Sequence, residues 1–357
     1  MKVVAVIMAG GKGERFWPKS RRTMPKQFLS LTDDGKTMIQ HTIERIKPLV
    51  AIEDVFVVTN KDYASLVKEQ LTGLPQENIL LEPAARNTAP CVGLAATYIR
   101  KKYKDAIMLV LPSDHLIKFN GIFINTLRDA IQVATEGQNM VTIGITPNYP
   151  ETGYGYINFG EEKEGASNVY KVERFVEKPN LQLAKEYLDS GKYLWNSGMF
   201  VWKASTILMQ FEKCLPDMYK GLIKIEETIG TNQEEEILTQ EFINFKSESI
   251  DYGIMEKAKD IYTIPGGFGW DDVGSWLALE RFNRSNEDGN VVSGNVISIN
   301  TKNAIVQGSD KLIATIGVEN LIIVDTEDAM LICAKDSTQD VKKVIENLKI
   351  CNRNEYL

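Results

Sequence analysis

The chain of 357 residues has few cysteines, only two histidines and no long apolar run. Its four cysteines, Cys91, Cys214, Cys333 and Cys351, stand far apart without any short paired spacing, which argues against a zinc site and against a disulfide framework. Reduced thiols are the simplest reading, and they agree with a cytosolic, cytoplasmic protein. The apolar stretch at the amino terminus runs for only about six residues before a charged loop, too short for a signal-peptide core or a membrane span, and nothing later reaches spanning length. A formal net charge of -7 speaks against a general nucleic-acid-binding surface. What remains is a chain long enough for one large α/β core and a smaller appended unit.

The first twenty-eight residues say most about that core. Val3-Val4-Ala5-Val6-Ile7-Met8 runs into Ala9-Gly10-Gly11-Lys12-Gly13-Glu14-Arg15, and Pro25-Lys26-Gln27-Phe28 follows. An apolar, β-branched run bounded by glycines predicts an inner parallel strand, and glycines at its carboxyl end let backbone N–H groups approach phosphate oxygens. Arg15 and Lys26 add two mobile cations. The spacing is neither a dinucleotide fingerprint, since Phe16 stands where a third glycine is needed, nor a P-loop, since Gly13 is followed by Glu14 and Arg15.

Strands and helices alternate over roughly the first 285 residues, so the sheet is expected to be mixed and mostly parallel. Helical spacing covers Thr37 to Ile46, Ala89 to Lys101 and Phe123 to Thr135. Strand-like runs cover Asp54 to Thr59, Ile79 to Leu81, Ile107 to Leu111 and Met140 to Ile143. Ligands of such folds collect at the carboxyl ends of strands, where Gly10, Glu82, Asp114 and Gly144 fall. From Val291 to Cys333 short apolar runs recur every eight to ten residues between Asn, Gly, Ser and Asp. They predict a small β unit closed by a helix over about Thr338 to Leu348. The domains are therefore expected at 1–287 and 288–357.

Seven blocks, in order, resemble the sugar-nucleotide pyrophosphorylases and, within them, the mannose-1-phosphate guanylyltransferases. They are Ala9 to Pro18 with Pro25-Lys26-Gln27-Phe28, Glu82-Pro83 with Arg86-Asn87-Thr88-Ala89-Pro90, Leu111-Pro112-Ser113-Asp114-His115, Thr152-Gly153-Tyr154-Gly155-Tyr156-Ile157, Phe175-Val176-Glu177-Lys178-Pro179, Trp195-Asn196-Ser197-Gly198-Met199-Phe200 and Gly269-Trp270-Asp271-Asp272-Val273-Gly274-Ser275-Trp276. The resemblance implies a Rossmann-like nucleotidyltransferase domain followed by a fragment of left-handed β-helix. It implies transfer of GMP from GTP to mannose-1-phosphate, with pyrophosphate leaving and Mg²⁺ as cofactor.

In that reaction the attacking sugar-phosphate oxygen is already an anion, so no activating Ser, Cys or His is needed and catalysis can consist of charge neutralisation and alignment. The two histidines fit: His41 reads as structural, and His115 either orients Asp114 or packs. Asp114 ends an apolar strand, where an acid without a cation would be costly, although it could instead cap a following helix. The resemblance makes Asp114 and Asp272 the Mg²⁺ ligands, with Asp271 as fallback. It puts Arg15 and Lys26 on the triphosphate and Glu177 and Lys178 on the sugar and its phosphate. Proline after Lys178 should hold that lysine extended. The nucleotide set comprises Ala9, Gly10, Gly11, Gly13, Arg15, Glu82, Pro83, Arg86, Asn87 and Ser113, while Gly155, Glu177, Lys178, Asn196 and Gly198 form the sugar set. Asn87-Thr88 would equally serve as a helix cap, and Glu177-Lys178 as a surface ion pair.

Glu14 stands where a small hydroxyl residue is common in the family, and is expected to face Arg21 or Arg22 or to help hold Mg²⁺. Two other readings stay open: the same mechanism on another hexose-1-phosphate or NTP, and a non-catalytic nucleotide-sugar sensor. The apolar β tail could close a homodimer or cap the catalytic domain.

Overall fold

A computed structural model describes residues 1–11 and 13–357; Lys12 of the glycine loop lies outside the described residues. The chain packs into two compact units, each drawn from several stretches of sequence. One comprises Met1–Gly10, Arg45–Ser113 and Phe119–Trp270, the other Gly11–Glu44, Asp114–Lys118 and Asp271–Leu357.

The first unit is built on a nine-stranded sheet of β1 (Lys2–Ala9), β2 (Val55–Asn60), β3 (Ile79–Glu82), β4 (Ala106–Pro112), β5 (Met140–Ile145), β6 (Tyr156–Glu162), β7 (Tyr170–Val176), β8 (Tyr193–Lys203) and β9 (Ile261–Pro265), in the order β3-β2-β1-β4-β8-β5-β9-β7-β6. Its parallel pairs are β1 with β2 and β4, β2 with β3, and β5 with β9. The sheet is mixed: β8 runs antiparallel to β4, β5 and β6, and β7 antiparallel to β9 and β6. Ile7 on the inner strand β1 faces Val57 on one side and Leu111 on the other, all essentially without solvent exposure. The apolar side chains of Thr88–Tyr103 and Ala204–Cys214 bury against the sheet with Trp202, Phe211 and Leu222, as continuous Val/Ile/Leu strands require.

The second unit has its own core, in which Phe16, Trp17, Met38 and Trp276 meet Val291, Ile305, Ile322, Val341 and Ile345. Phe16 and Trp276 rings lie 4.9 Å apart, and Trp276 Nε1 donates to the Trp17 carbonyl at 3.2 Å. The tail forms β10 (Val291–Ser293), β11 (Val296–Ile299), β12 (Ile305–Gln307), β13 (Ile313–Ile316), β14 (Leu321–Asp325) and β15 (Met330–Ala334). Parallel pairing of β10 with β12, β12 with β14, and β11 with β13 stacks successive turns of chain on one another. Asn300, Asn303 and Asn320 take positive φ between strands, which asparagine tolerates better than most residues. A turn over Lys335–Asp340 leads into the closing helix Val341–Ile350. Among the described residues no helix is long and apolar enough to cross a membrane.

Candidate active site

Gly13, Glu14, Arg15, Lys26, Asp114, His115, Asp272 and Gly274 line one cavity of about 370 Å³, all within the second unit. Gly13 has φ of +60°, and a Cβ there would overlap the Lys26 side chain and lie 2.7 Å from the Lys26 nitrogen. Only glycine lets the loop lie this close to Pro25-Lys26. Lys26 itself is 5% exposed, and its Nζ donates to Asp114 Oδ2 at 2.8 Å, to the Asp272 carbonyl at 2.7 Å and to the Val273 carbonyl at 3.0 Å. The expectation of a mobile Lys26 is thus corrected: three acceptors fix its ammonium, which is what burial of a charge demands.

Val273 shows how that arrangement is held. It is a buried β-branched residue at φ +50°, an unfavourable conformation that needs surrounding support. Asp271 supplies the support, accepting the Val273 N–H on Oδ1 at 2.8 Å and pairing through Oδ2 with Arg281. Both Asp271 oxygens are therefore spent on architecture, whereas Asp272 is the residue of the pair that lines the cavity, its carboxylate beside Gly274. Burial raises the Asp114 carboxyl, but the Lys26 ammonium, His115 and the hydrogen bonds outweigh it and hold the group below its ordinary range. His115 Nε2 lies 3.9 Å from Asp114 Oδ1. Asp114 caps no helix, since a two-residue strand, Leu116–Ile117, follows.

Arg15 donates from Nη1 to the Gly274 carbonyl at 3.2 Å, while its buried Nε–H has no protein acceptor. Glu14 does not face Arg21 or Arg22 as expected: Lys349 reaches its Oε1 at 3.3 Å, and Arg21 pairs with Asp328 instead. Gly11 accepts from Gln27 Nε2 at 3.0 Å. Among the described residues no group of three or more His, Cys, Asp or Glu is set to hold a metal. Asp114 and Asp272 alone would leave most of an ion's positions to water and phosphate oxygens, which suits a hard cation that sheds water reluctantly.

Other expected residues gather in the first unit. Glu82 ends β3, and one of its oxygens lies 3.3 Å from where a Gly10 Cβ would stand. Its Oε1 is buried without a hydrogen-bond partner, and burial pushes the carboxyl up to about 7. Thr59 donates to the Ala9 carbonyl at 2.9 Å, and the Ser113 N–H to that of Met8 at 3.2 Å. Pro83 follows β3 directly. Arg86 donates to the Ile243 carbonyl at 2.6 Å, and Asn87 caps the Thr88 N–H at 2.8 Å, so both side chains have structural partners here.

Gly155, Glu177, Lys178, Asn196 and Gly198 meet at another corner of the same unit. A Cβ on Gly155 would collide with Glu177 Oε2, and the Gly155 carbonyl takes the Asn196 N–H at 2.8 Å. Gly198, at φ +68°, belongs to an irregularity in the β5–β8 pairing that turns Asn196 aside. The Asn196 amide is then clamped, its Nδ2 donating to Asp251 Oδ1 at 2.7 Å and its Oδ1 accepting from the Gly198 N–H at 3.2 Å and Thr142 at 3.4 Å. Lys178 pairs with Glu177 but is not extended; its φ is +45°. The chain must reverse between β7 and the helix at Leu181, and that reversal overrides the preference imposed by Pro179.

Sequence reasoning passed over Asp251, whose carboxyl is raised to about 6 by burial and then by Glu177. It also passed over Tyr154, whose ring stands 5.3 Å from that of Trp195 and 5.4 Å from that of Trp270. The three aromatic residues stood in the quoted blocks, whereas nothing local marked Asp251, fifty-five positions beyond its partner.

The profile of a family described as nucleotidyl transferase matches residues 4–289. The chain belongs to that family. A second profile, the mannose-phosphate isomerase/GMP-like β-helix domain, matches residues 294–348. This nucleotidyl transferase is 43% identical over 362 residues to a mannose-1-phosphate guanylyltransferase of Salmonella montevideo, covering 99% of this chain and 76% of the relative. It is 42% identical to one of Escherichia coli K12, covering 99% and 75%. A crystal structure from Thermus thermophilus, described as a mannose-1-phosphate geranyltransferase, superposes with a TM-score of 0.88 at 35% identity, covering 98% of this chain and all of that one.

Proposed function

We propose that this nucleotidyl transferase joins GMP from GTP to mannose-1-phosphate, forming GDP-mannose and releasing pyrophosphate. Likeness over the full chain to relatives bearing that activity's name supports the reading. The observation that carries it is the cavity in which Lys26 binds Asp114 and the backbone carbonyls of Asp272 and Val273, beside Arg15. The family implies a divalent metal, and we assign it as Mg²⁺ on Asp114 and Asp272, where it would offset phosphate charge and align the triphosphate. Lys26 fixes the residues that carry both carboxylates and adds its own charge. Arg15 offers its unsatisfied Nε–H to a phosphate. Glu177 and Asn196 take sugar hydroxyls, with Asp251 holding the Asn196 amide in one orientation, and Lys178 meets the sugar phosphate. Ala9, Gly10, Gly11, Gly13, Pro83 and Ser113 flank the nucleotide, and Arg86 and Asn87 complete the set.

Glu82 supports guanine over uracil and thymine. A buried carboxylate lacking a donor suits the adjacent N1–H and N2–H groups of guanine, whereas uracil and thymine offer a single N–H. Ionising this carboxyl in the empty protein costs stability as pH rises from the ordinary value of 4.5 through about 7. Glu82→Gln is therefore expected to be more stable than the parent by about 3 kcal/mol at pH 8 and equal to it near pH 4, while GTP binds about tenfold more weakly. Urea titrations at both pH values and calorimetric GTP binding check this, and unchanged GTP affinity would remove Glu82 from base recognition.

The activity is tested by Mg²⁺-dependent pyrophosphate release from GTP with mannose-1-phosphate, beside glucose-1-phosphate and beside ATP, UTP and dTTP. Release confined to the first pair is expected; another productive pair changes the substrate, and silence with every pair favours a sensor. The same reading divides the sequence into domains at 287/288 and places the protein in the cytoplasm, consistent with four free thiols. It also includes a homodimer, favoured by the exposed Ile297, Ile299, Ile316 and Ile332 of the tail.

A further inference from the structure

We infer that Lys342, on the closing helix at the far end of the chain, binds the β- and γ-phosphates of the nucleotide and the pyrophosphate they become. The inference rests on the reading of the cavity as a triphosphate site. Lys342 lines that cavity with Arg15, Lys26, Asp114 and Asp272. Its helix is seated on the glycine loop itself: Val341 and Ile345 join the core containing Phe16 and Trp17, and the helix touches the turn Glu14–Phe16. Lys349, seven residues on and so on the same helical face, holds Glu14 at 3.3 Å. This face is thus aimed at the loop, and Lys342 is its other cation.

Charge accounts for the need. The cavity wall carries three cations, Arg15, Lys26 and Lys342, and three carboxylates, Glu14, Asp114 and Asp272. Lys26 is committed to three protein acceptors and Arg15 in part to Gly274. Lys342 is exposed and makes no hydrogen bond or ion pair with a described residue, so a flexible ammonium is available to a phosphate at no loss to the protein. As the sugar-phosphate oxygen bonds to the α-phosphorus, the bond from that phosphorus to the bridging oxygen breaks and its electron pair leaves with pyrophosphate. An ammonium beside that group stabilises the departing charge.

In the full-length protein, Lys342→Ala is expected to raise KM for GTP and the Kd for Mg²⁺-pyrophosphate, by calorimetry, each about tenfold, with KM for mannose-1-phosphate within about twofold. Lys342→Arg should restore most of both. Lys343→Ala, which removes the neighbouring charge paired with Asp340 at 2.9 Å, should change neither. Unaltered GTP and pyrophosphate constants in Lys342→Ala, or an equal loss in Lys343→Ala, would overturn the assignment. A parent protein inactive with GTP and mannose-1-phosphate would defeat the functional reading instead, and pyrophosphate binding would still decide the role of Lys342.

Discussion

Asp272→Asn is expected to lower turnover by about a thousandfold while the protein unfolds at nearly the parent temperature. The neighbouring Asp271→Asn should do the reverse. Asp272 lines the cavity, its carboxylate beside Gly274, so the substitution keeps the shape and removes the charge that would hold a metal. Asp271 is 7% exposed and secures the strained Val273 turn and Arg281. Its loss should cost about 1–2 kcal/mol of stability, Arg281 being half exposed, with a smaller effect on rate. Steady-state kinetics with thermal melts on both variants separates the two roles. Full turnover in Asp272→Asn would take the metal away from Asp272.

The second large effect is expected at Lys26, where one side chain serves both fold and chemistry. Lys26→Met removes the ammonium from the partly buried Asp114 carboxylate and from two carbonyls, and should lower turnover at least a hundredfold. It should also destabilise by about 1–2 kcal/mol, the cost of two carbonyls and a partly buried carboxylate losing their donor. The pH dependence should invert. In the parent the depressed Asp114 group stabilises the fold above the ordinary carboxylate range, and this is lost only as acid brings pH down through its folded value. Without Lys26 burial dominates, the carboxyl titrates high, and stability falls as pH rises. Urea midpoints at pH 5 and pH 8 should differ in the variant far more than in the parent, and a flat response would show that Lys26 does not set the charge of Asp114.

Much of this was legible in the sequence because it is local. The strand Lys2–Ala9, the helix Thr88–Tyr103 and the recurring tail strands follow from apolar periodicity within short windows. Gly13 could be placed at an anion loop from its neighbours alone, although its actual constraint, close approach to Lys26, is a tertiary fact. What periodicity does not encode is pairing. Nothing in Tyr193–Lys203 announces that it runs antiparallel between two strands of the sheet. Nor does Glu14 announce Lys349, which lies 335 positions away. The site residues were found by type and neighbourhood. Their partners were hidden because a carboxylate or a lysine looks the same beside any of several distant cations or acids.

The unit that carries the glycine loop joins segments far apart in sequence, with Arg15 meeting Gly274 and Trp17 donating to the carbonyl of Tyr356 at 2.8 Å. On the ribosome Arg15 therefore emerges 259 residues ahead of Gly274, and Trp17 339 residues ahead of Tyr356. At roughly 5–20 residues per second, on the order of tens of seconds separate the loop from these partners. During that interval Phe16 and Trp17 have no core to enter and Lys26 has no Asp272 or Val273 carbonyl to hold. The nascent chain is thus without a formed phosphate site, and open to aggregation at Phe16 and Trp17, until Asp272, Gly274 and Tyr356 have been made.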